Sequence, residues 1–154
     1  MNLYARAGAL AERMLPANLL LLIMRLGIGS VFFLSGRTKV DGFLHITDAT
    51  YSLFETEYAA VPLPPHLAAH LATYQEHLFP VLLALGLFTR LGALGLLGMT
   101  LTIEVFVYPD AWSTHLSWAA ILLPLIAWGP GGWSLDRLVG LERRPAASNA
   151  DEAI

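Results

Sequence analysis

The chain contains no cysteine, and only 14% of its 154 residues are Asp, Glu, Lys or Arg. Without cysteine there can be no disulfide, no thiolate nucleophile, no Cys-ligated iron–sulfur cluster and no Cys-based zinc site. Soluble domains carry about 25% charged residues on average, so this composition is not that of a soluble protein. Nine basic and twelve acidic side chains give a net charge of −3. Because no basic patch dominates, we expect no nucleic-acid partner.

Apolar residues are abundant: 56% of the chain is hydrophobic, and its mean hydropathy is +0.59. A helix needs about 20 mostly apolar residues to cross a hydrocarbon core of about 30 Å. Four stretches meet this requirement, at about 17–36, 67–88, 91–108 and 114–129. We therefore predict an all-α, polytopic membrane protein in which residues 1–154 form one domain, a bundle of four transmembrane helices in contact with the lipid bilayer.

Basic residues outside the predicted spans indicate the orientation, because cytoplasmic loops carry an excess of Lys and Arg. With the N-terminus inside, the cytoplasmic segments hold Arg6, Arg13, Arg90, Arg137, Arg143 and Arg144. The outer segments then hold only Arg37 and Lys39. We expect both termini in the cytoplasm, one long outer loop over 41–65 and a flexible tail over 145–154.

The predicted outer loop contains Tyr51, Phe54 and Tyr58 at helical spacing, and Thr47 or Asp48 could cap the start of a helix. A cluster of prolines then ends any helix. Two structures fit this pattern. One is a short amphipathic helix on the outer membrane interface, and the other is an irregular loop packed over the mouth of the bundle.

Two charged residues lie deep within predicted spans. At 1.5 Å per residue, Arg25 and Glu76 both come out near the membrane midplane. Charges at that depth are costly and are functional candidates by default. A buried Arg25–Glu76 ion pair would satisfy both charges and fix the packing of the first two spans. A direct part in proton or ligand chemistry, or snorkelling of Arg25 toward the interface, stays open.

A larger polar group is predicted near the outer ends of the spans. Its members are His66, His70, Thr73, His77, Thr100, Glu104, Tyr108, His115, Arg37 and Lys39. We expect His70 and Glu104 to lie at one depth, with Arg37 or Lys39 in hydrogen-bond reach, in a single outward-facing pocket. The candidate catalytic residues are His70, Glu104, Glu76 and Arg25. The candidates for binding a cofactor are Arg37, Lys39, His77, Tyr108 and His115.

This residue set fits several ligands. Imidazole and carboxylate groups bind zinc, copper or iron, which makes His66, His70 and Glu104 weak metal candidates, although no recognised metal motif is present. Two facing histidines could ligate haem. A quinone is a better match, because its carbonyls accept hydrogen bonds from His, Tyr or Arg while apolar helices hold its tail. Alternatively, the polar residues only pair helices and bind nothing.

Two of the predicted spans carry closely spaced glycines: Gly27 and Gly29 in the first, and Gly92, Gly95 and Gly98 in the third. Small residues on helix faces let two helix backbones approach closely. We predict that these glycines serve helix packing rather than ligand binding.

Three segments resemble one known family. They are RLGIGSVFFLSGRTKVDGF (25–43), EHLFPVLLALGLFTRLGALGLLGM (76–99) and WGPGGWSLDRL (128–138). In this order they resemble the DoxX family of small bacterial membrane proteins, over roughly 20–138. The resemblance implies a four-helix bundle in the bacterial cytoplasmic membrane with both termini inside. Positions that recur in the family are matched by Arg25, Ser35, Gly36, Lys39, Glu76, Gly86 and Arg90.

The resemblance implies less about chemistry. The family takes its name from a relative of a membrane subunit of a thiosulfate:quinone oxidoreductase, and other members accompany redox-defence or metal-handling proteins. The leading hypothesis is a membrane component of a quinone-linked redox or oxidative/metal-stress system, which acts with a partner redox protein or as a homo-oligomer. The chain would then be a subunit of a quinone-dependent oxidoreductase. The alternatives are a non-enzymatic membrane scaffold and a small metal- or solute-handling protein.

Overall fold

The computed structural model describes residues 3–142, so the predicted tail and two of the arginines used for orientation, Arg143 and Arg144, lie outside the described residues. Within that range the chain is mostly helical. The helices are α1 (Leu3–Met14), α2 (Ala17–Arg37), α3 (Asp48–Thr56), α4 (Pro65–Leu85), α5 (Thr89–Phe106), α6 (Trp112–Trp128) and α7 (Leu135–Leu138). A two-stranded antiparallel hairpin, β1 (Val40–Asp41) and β2 (His45–Ile46), follows α2, and a 3-10 turn (Pro109–Ala111) precedes α6.

The four long helices form a bundle in which α2 packs against α4 and α6, and α5 packs against α4 and α6. One apolar core joins them, and its fully buried members are Ile28, Leu83, Ala93, Leu96, Leu122 and Leu125. We call the two ends of the bundle the α3 end and the α7 end, after the short helices that lie there.

Three segments are long and apolar enough to cross a membrane by length and composition: Ala17–Arg37, Thr89–Phe106 and Pro109–Trp128. The last is longer than the predicted 114–129, because the turn before α6 extends it. α4 is not among the three, although it has 21 residues. Its first half carries several polar residues, and so the span predicted at 67–88 stays a prediction.

The predicted outer loop, which lies between α2 and α4, contains a short helix, α3. A short helix was one of the two structures that the sequence left open for this loop. α3 is capped by Thr47, whose side chain accepts a hydrogen bond from the Thr50 backbone N–H. Phe54 is 2% exposed and packs on Ala68 and Ala69 of α4. α3 is therefore fastened to the first turns of α4.

The register between α2 and α4 is set by glycines. A Cβ at Gly36 would lie 2.9 Å from the Glu76 Cβ and from the His77 ring, and Gly29 lies against the Pro80 backbone. Gly36, at the end of α2, is thus level with Glu76, in the middle of α4. The eleven residues of α4 before Glu76 span about 16 Å and project past the α3 end of α2.

Not all of the predicted packing glycines serve that purpose. Gly29 and Gly92 lie within ordinary contact distance of backbone or side-chain atoms of α4, and Gly95 lies against the Phe79 ring. By contrast, a Cβ at Gly27 or Gly98 would meet nothing within 4 Å. The packing prediction is therefore wrong for Gly27 and Gly98, which face open space.

The α7 end is held together by polar contacts to backbone groups. The buried Asp136 carboxylate accepts hydrogen bonds from the backbone N–H groups of Phe88 (2.7 Å) and Thr89 (2.9 Å), at the start of α5. Ser134 accepts a hydrogen bond from the Arg137 N–H and caps α7. Gly86 ends α4 with a left-handed φ of +65°. The segment after α6 thus closes over the α4–α5 turn.

Candidate functional site

A buried ion pair lies where the α3 end of α2 meets the middle of α4. Lys39 Nζ donates a hydrogen bond to Glu76 Oε1 at 2.9 Å. It also lies 2.7 Å from Glu76 Oε2, but the angle of that contact is not that of a hydrogen bond. Lys39 is 6% exposed and Glu76 is 3% exposed. Ser35 Oγ also donates to Glu76 Oε1, at 3.0 Å. Removing two charges from water is costly unless they are paired, so a retained pair in this position is a functional candidate.

The local fold positions Lys39 from three sides. Its side chain reaches back along the end of α2, where Ser35 O (3.4 Å) and Ser35 Oγ (3.1 Å) accept hydrogen bonds from Nζ. Its backbone carbonyl accepts hydrogen bonds from Thr47 N (3.2 Å) and Thr50 Oγ1 (2.8 Å). The hairpin and α3 therefore fix Lys39, while Gly36 lets α4 approach closely enough to present Glu76.

A cavity of about 400 Å³ lies beside the ion pair, in the range typical of ligand pockets. It is bounded by α3, α4, α5 and the segment before α4. Its wall includes Lys39, Glu76, Phe54, Tyr58, Leu63, Leu71, Gln75, Phe79, Gly95, Gly98, Met99, Thr102 and Ile103. Most of this wall is apolar, so the cavity would favour an apolar ligand that has one polar group directed at the ion pair.

Part of the cavity wall reaches the surface of the bundle at the seam between α4 and α5. Leu71 and Gly98, which line it on the two sides of the seam, are exposed on the surface of the bundle. Gly98 contributes no side chain and leaves the space beside it open. An opening at this seam would lie on the side of the bundle, next to a helix that is apolar enough to span a membrane.

Three buried polar atoms within one stretch of α4 have no hydrogen-bond partner among residues 3–142: Thr73 Oγ1, Glu76 Oε2 and His77 Nε2. Buried polar groups in proteins are nearly always satisfied, so a local concentration of unsatisfied groups calls for an explanation. Glu76 Oε2 has the Lys39 ammonium beside it. An added hydrogen-bonding molecule, or a proton on the carboxylate, would complete this part of the site.

Two tyrosines pack together at the α3 end, and one of them, Tyr58, lines the cavity. Tyr108 donates a hydrogen bond to Glu57 Oε2 at 2.5 Å, and its ring packs edge-on against Tyr58, which lines the cavity. Burial raises the pKa of Tyr58 well above its ordinary value, and the neighbouring Tyr108 and Glu76 raise it further. The hydrogen bond to Glu57 raises the pKa of Tyr108. Both phenols are therefore protonated donors at neutral pH.

The predicted Arg25–Glu76 pair is wrong. Arg25 instead donates to the carbonyl oxygens of Leu83 (2.9 Å), Ala84 (3.3 Å) and Trp133 (2.5 Å) at the α7 end. The depth estimate failed because it placed the start of α4 at the membrane surface, whereas its first turns project past α2. Arg25 thus ties the end of α4 to the segment after α6.

The predicted outer cluster is divided into two groups. Glu104 Oε2 lies 2.5 Å from Nδ1 of His115, and this contact joins α5 to α6. His70 instead accepts a hydrogen bond from the Tyr51 hydroxyl (3.3 Å) and donates to the His66 carbonyl (2.7 Å). The prediction that His70 and Glu104 share one pocket is therefore not supported, because α3 supplies the partner of His70.

The other candidate residues also have separate partners. Arg37 donates to the Gly42 carbonyl at 3.1 Å, and His77 donates to the Thr73 carbonyl at 2.7 Å. His66 stacks on Tyr51. In the described part of the chain, no group of three or more potential metal ligands is found, and the weak metal candidates His66 and Glu104 belong to different groups.

The residues selected by family resemblance divide between the two ends of the bundle. Ser35, Gly36, Lys39 and Glu76 meet in the ion-pair site. Arg25 and Gly86 meet at the α7 end, where Arg90 also donates to the carbonyls of Ile126 and Ala127. Reasoning from the residues alone missed the Lys39–Glu76 pair and the cap supplied by Asp136. The recurrence of Lys39 and Glu76 in the family was the only sequence signal for the pair.

Comparison with known proteins gives one match. The family model described as DoxX matches residues 20–109, which is more than half of the chain and includes the ion pair and the cavity wall. No curated protein and no solved structure matches the chain.

Proposed function

We propose that this chain, which belongs to the DoxX family of membrane proteins, is the membrane component of a quinone-linked redox system and acts with a partner protein. The observation that carries the proposal is the buried Lys39–Glu76 ion pair at the wall of a largely apolar cavity. Such a cavity matches a ligand with a carbonyl-bearing headgroup and a hydrocarbon tail.

The ion pair suits a quinone headgroup. The Lys39 ammonium can donate a hydrogen bond to a quinone carbonyl in place of its long bond to Ser35 O (3.4 Å), and Glu76 can exchange a proton with Lys39. Reduction of a quinone to a quinol consumes two electrons and two protons. In the proposed role the partner protein supplies both electrons. The Lys39 ammonium gives one proton to the carbonyl oxygen beside it, and the second carbonyl oxygen takes its proton from water. The Glu76 carboxylate then takes up a proton from water at the α3 end and returns it to Lys39.

The apolar seam supports entry from lipid. A quinone dissolved in the bilayer would pass between Leu71 and Gly98 without crossing water, and its headgroup would move inward to the ion pair. The tail would remain along Phe79 and Met99, which line the cavity. A water-soluble substrate would gain little from such a wall.

A partner is part of the proposal because of the composition of the chain. With no cysteine, it can carry neither a Cys-ligated iron–sulfur cluster nor a redox-active dithiol. Electrons for the quinone would therefore arrive from a second redox protein docked on the bundle.

The proposed topology has four spans, with α4 as the fourth, in the bacterial cytoplasmic membrane. The supporting argument is the bias of basic residues: Arg6, Arg13, Arg90 and Arg137 lie toward the α7 end or in segments joined to it, and both termini would be cytoplasmic. The ion pair and the contact between Tyr58 and Tyr108 would then lie toward the periplasmic side.

The test is binding of decylubiquinone to the purified full-length chain, followed by thermal unfolding. A ligand that binds only the folded protein stabilises it, by about 2.7 kcal/mol at 100 times its Kd. Gly98→Leu places a side chain in the open space of the cavity and should abolish the stabilisation. Gly27→Leu is the matched control, because Gly27 is also an open helix position but does not line the cavity.

The comparison is made between free and loaded protein for each variant, so that any change in intrinsic stability cancels. We expect a ligand-induced shift in the unmodified chain and in Gly27→Leu, and none in Gly98→Leu. The absence of a shift in the unmodified chain at saturating quinone, or equal shifts in all three proteins, would contradict the proposal.

A further inference from the structure

The first helix, α1, has an apolar face that no other residue in the described range 3–142 covers. All of its residues from Leu3 to Met14 are exposed. At 100° per residue, Leu3, Ala7, Leu10 and Met14 fall within about 60° of one another. Leu3 is 84% exposed and Met14 is 66% exposed. In water, such a stripe of large apolar side chains would be left unburied.

The two basic residues of α1 border this stripe, and its one acidic residue, Glu12, lies on the opposite side of the helix. Arg6 and Arg13 are seven residues apart, which places them within about 20° of each other on the edge next to Leu3 and Leu10. Long arginine side chains at such an edge can extend their guanidinium groups outward while their stems cover apolar surface. This is the arrangement of a helix that lies in a membrane interface with its basic edge at the lipid phosphates.

The link between α1 and α2 holds α1 near the membrane. From Met14 to Ala17, where the first apolar span begins, the chain takes three Cα–Cα steps of about 3.8 Å each. The end of α1 therefore lies within about 11 Å of the start of that span. Asn18 is in turn fixed to the bundle, because its Oδ1 accepts a hydrogen bond from Gly132 N at 2.6 Å. α1 cannot move away from the surface of the bilayer that α2 crosses.

We propose that α1 is a membrane-surface helix that lies in the plane of its own bilayer, with its apolar face among the acyl chains and Arg6 and Arg13 bound to the phosphates of anionic lipids. The 12 residues of α1 extend for about 18 Å, so the helix anchors the start of α2 laterally. The binding surface is independent of the quinone site. Only the leaflet, which is cytoplasmic in the proposed topology, depends on the proposed function.

The absence of cysteine from the chain makes a direct test simple. Ala7 belongs to the apolar face, at its edge away from Arg6 and Arg13, and Ala9 lies about 160° from Ala7 on the polar face. Single-cysteine variants Ala7→Cys and Ala9→Cys of the full-length chain carry a nitroxide label and are reconstituted into vesicles of phosphatidylcholine and phosphatidylglycerol. Collision with oxygen, which concentrates in lipid, is compared with collision with a water-soluble nickel chelate.

We expect the ratio of oxygen to nickel collisions to be at least fivefold higher for the label at position 7 than for the label at position 9. Adding Arg6→Gln and Arg13→Gln should reduce that difference at least twofold in the anionic vesicles. Equal ratios at the two positions would overturn the proposal. If the arginine replacements leave the difference between positions 7 and 9 unchanged, the proposed binding of Arg6 and Arg13 to lipid phosphates would be overturned. Spin–spin broadening that decreases when the labelled protein is mixed with unlabelled protein would show that a second copy of the chain covers the apolar face. That result would also overturn the proposal.

Discussion

The ion pair between Lys39 and Glu76 makes a quantitative prediction for the change Glu76→Gln. The carboxylate lies 2.7 and 2.9 Å from Lys39 Nζ, and both residues are almost fully buried. Removing one partner of a buried pair leaves an uncompensated charge and costs about 3–5 kcal/mol in soluble proteins. We expect the lower end of that range, because Ser35 still accepts two hydrogen bonds from the ammonium and helices unfolded in lipid also find polar partners.

The assay is a double-mutant cycle on the free energy of unfolding, measured by SDS titration of the full-length chain in micelles. Lys39→Met, Glu76→Gln and the double variant complete the cycle. Because the residues contact each other, the double variant should be more stable than the sum of the single effects predicts, with a coupling energy of about 1–3 kcal/mol.

Arg25 provides the control. It binds the carbonyls of Leu83 and Ala84, which lie seven and eight residues past Glu76, or about 10–12 Å along α4. Effects of Arg25→Met and Glu76→Gln should therefore add to within about 0.5 kcal/mol. Additivity in the Lys39–Glu76 cycle, or strong coupling between Arg25 and Glu76, would refute the register between α2 and α4 described here.

Three further outcomes are expected, each measured as a change in unfolding of the full-length chain. Asp136→Asn should cost about 1 kcal/mol, because the start of α5 loses a charged acceptor for its backbone N–H groups. Arg25→Lys should cost about 1.5–3 kcal/mol, since an ammonium cannot reproduce the fork that binds carbonyls of two segments. The hydrogen bond to Glu57 raises the pKa of Tyr108 in the folded state. This hydrogen bond therefore contributes fully to stability below the pKa of the unfolded tyrosine, about 10, and the contribution is lost as the pH rises above that value. The melting temperature should then decline less steeply above pH 10 in Tyr108→Phe than in the unmodified chain.

Local sequence properties were sufficient to predict much of the fold. The apolar run at 17–36 became α2 (Ala17–Arg37), and the run at 91–108 became α5 (Thr89–Phe106). A cap at Thr47 or Asp48 and the spacing of Tyr51 and Phe54 made a helix one of two open alternatives for this segment, and the structure contains that helix, α3. These signals depend on residues a few positions apart, and so they can be detected in a single sequence.

The arrangement of the site depends on contacts between distant segments. How far α4 projects past α2 is decided by the packing of Phe54 on Ala68 and Ala69 and by the close approach at Gly36. Depth counted from the predicted ends of the spans contains no information on that projection. Glu76 was consequently paired with Arg25 in the prediction, although its partner in the structure is Lys39.

The division of the outer cluster has a similar cause. The helical wheel correctly places His66 and His70 on one side of α4, but it cannot show what lies opposite. That position is occupied by Tyr51 of α3, which contacts both histidines. Glu104 is closer to His115, eleven residues along the chain, because the turn between α5 and α6 brings the two together.

The most direct test of the quinone proposal is photolabelling of the full-length chain in lipid vesicles with a ubiquinone analogue that carries an azide on its ring. Labelled peptides are identified by mass spectrometry with and without excess decylubiquinone. The proposal predicts labels on cavity-lining residues of α4 and α5, such as Phe79 and Met99, which the competitor removes. Labels confined to α2 and α6, or labels at the cavity that the competitor leaves unchanged, would contradict it.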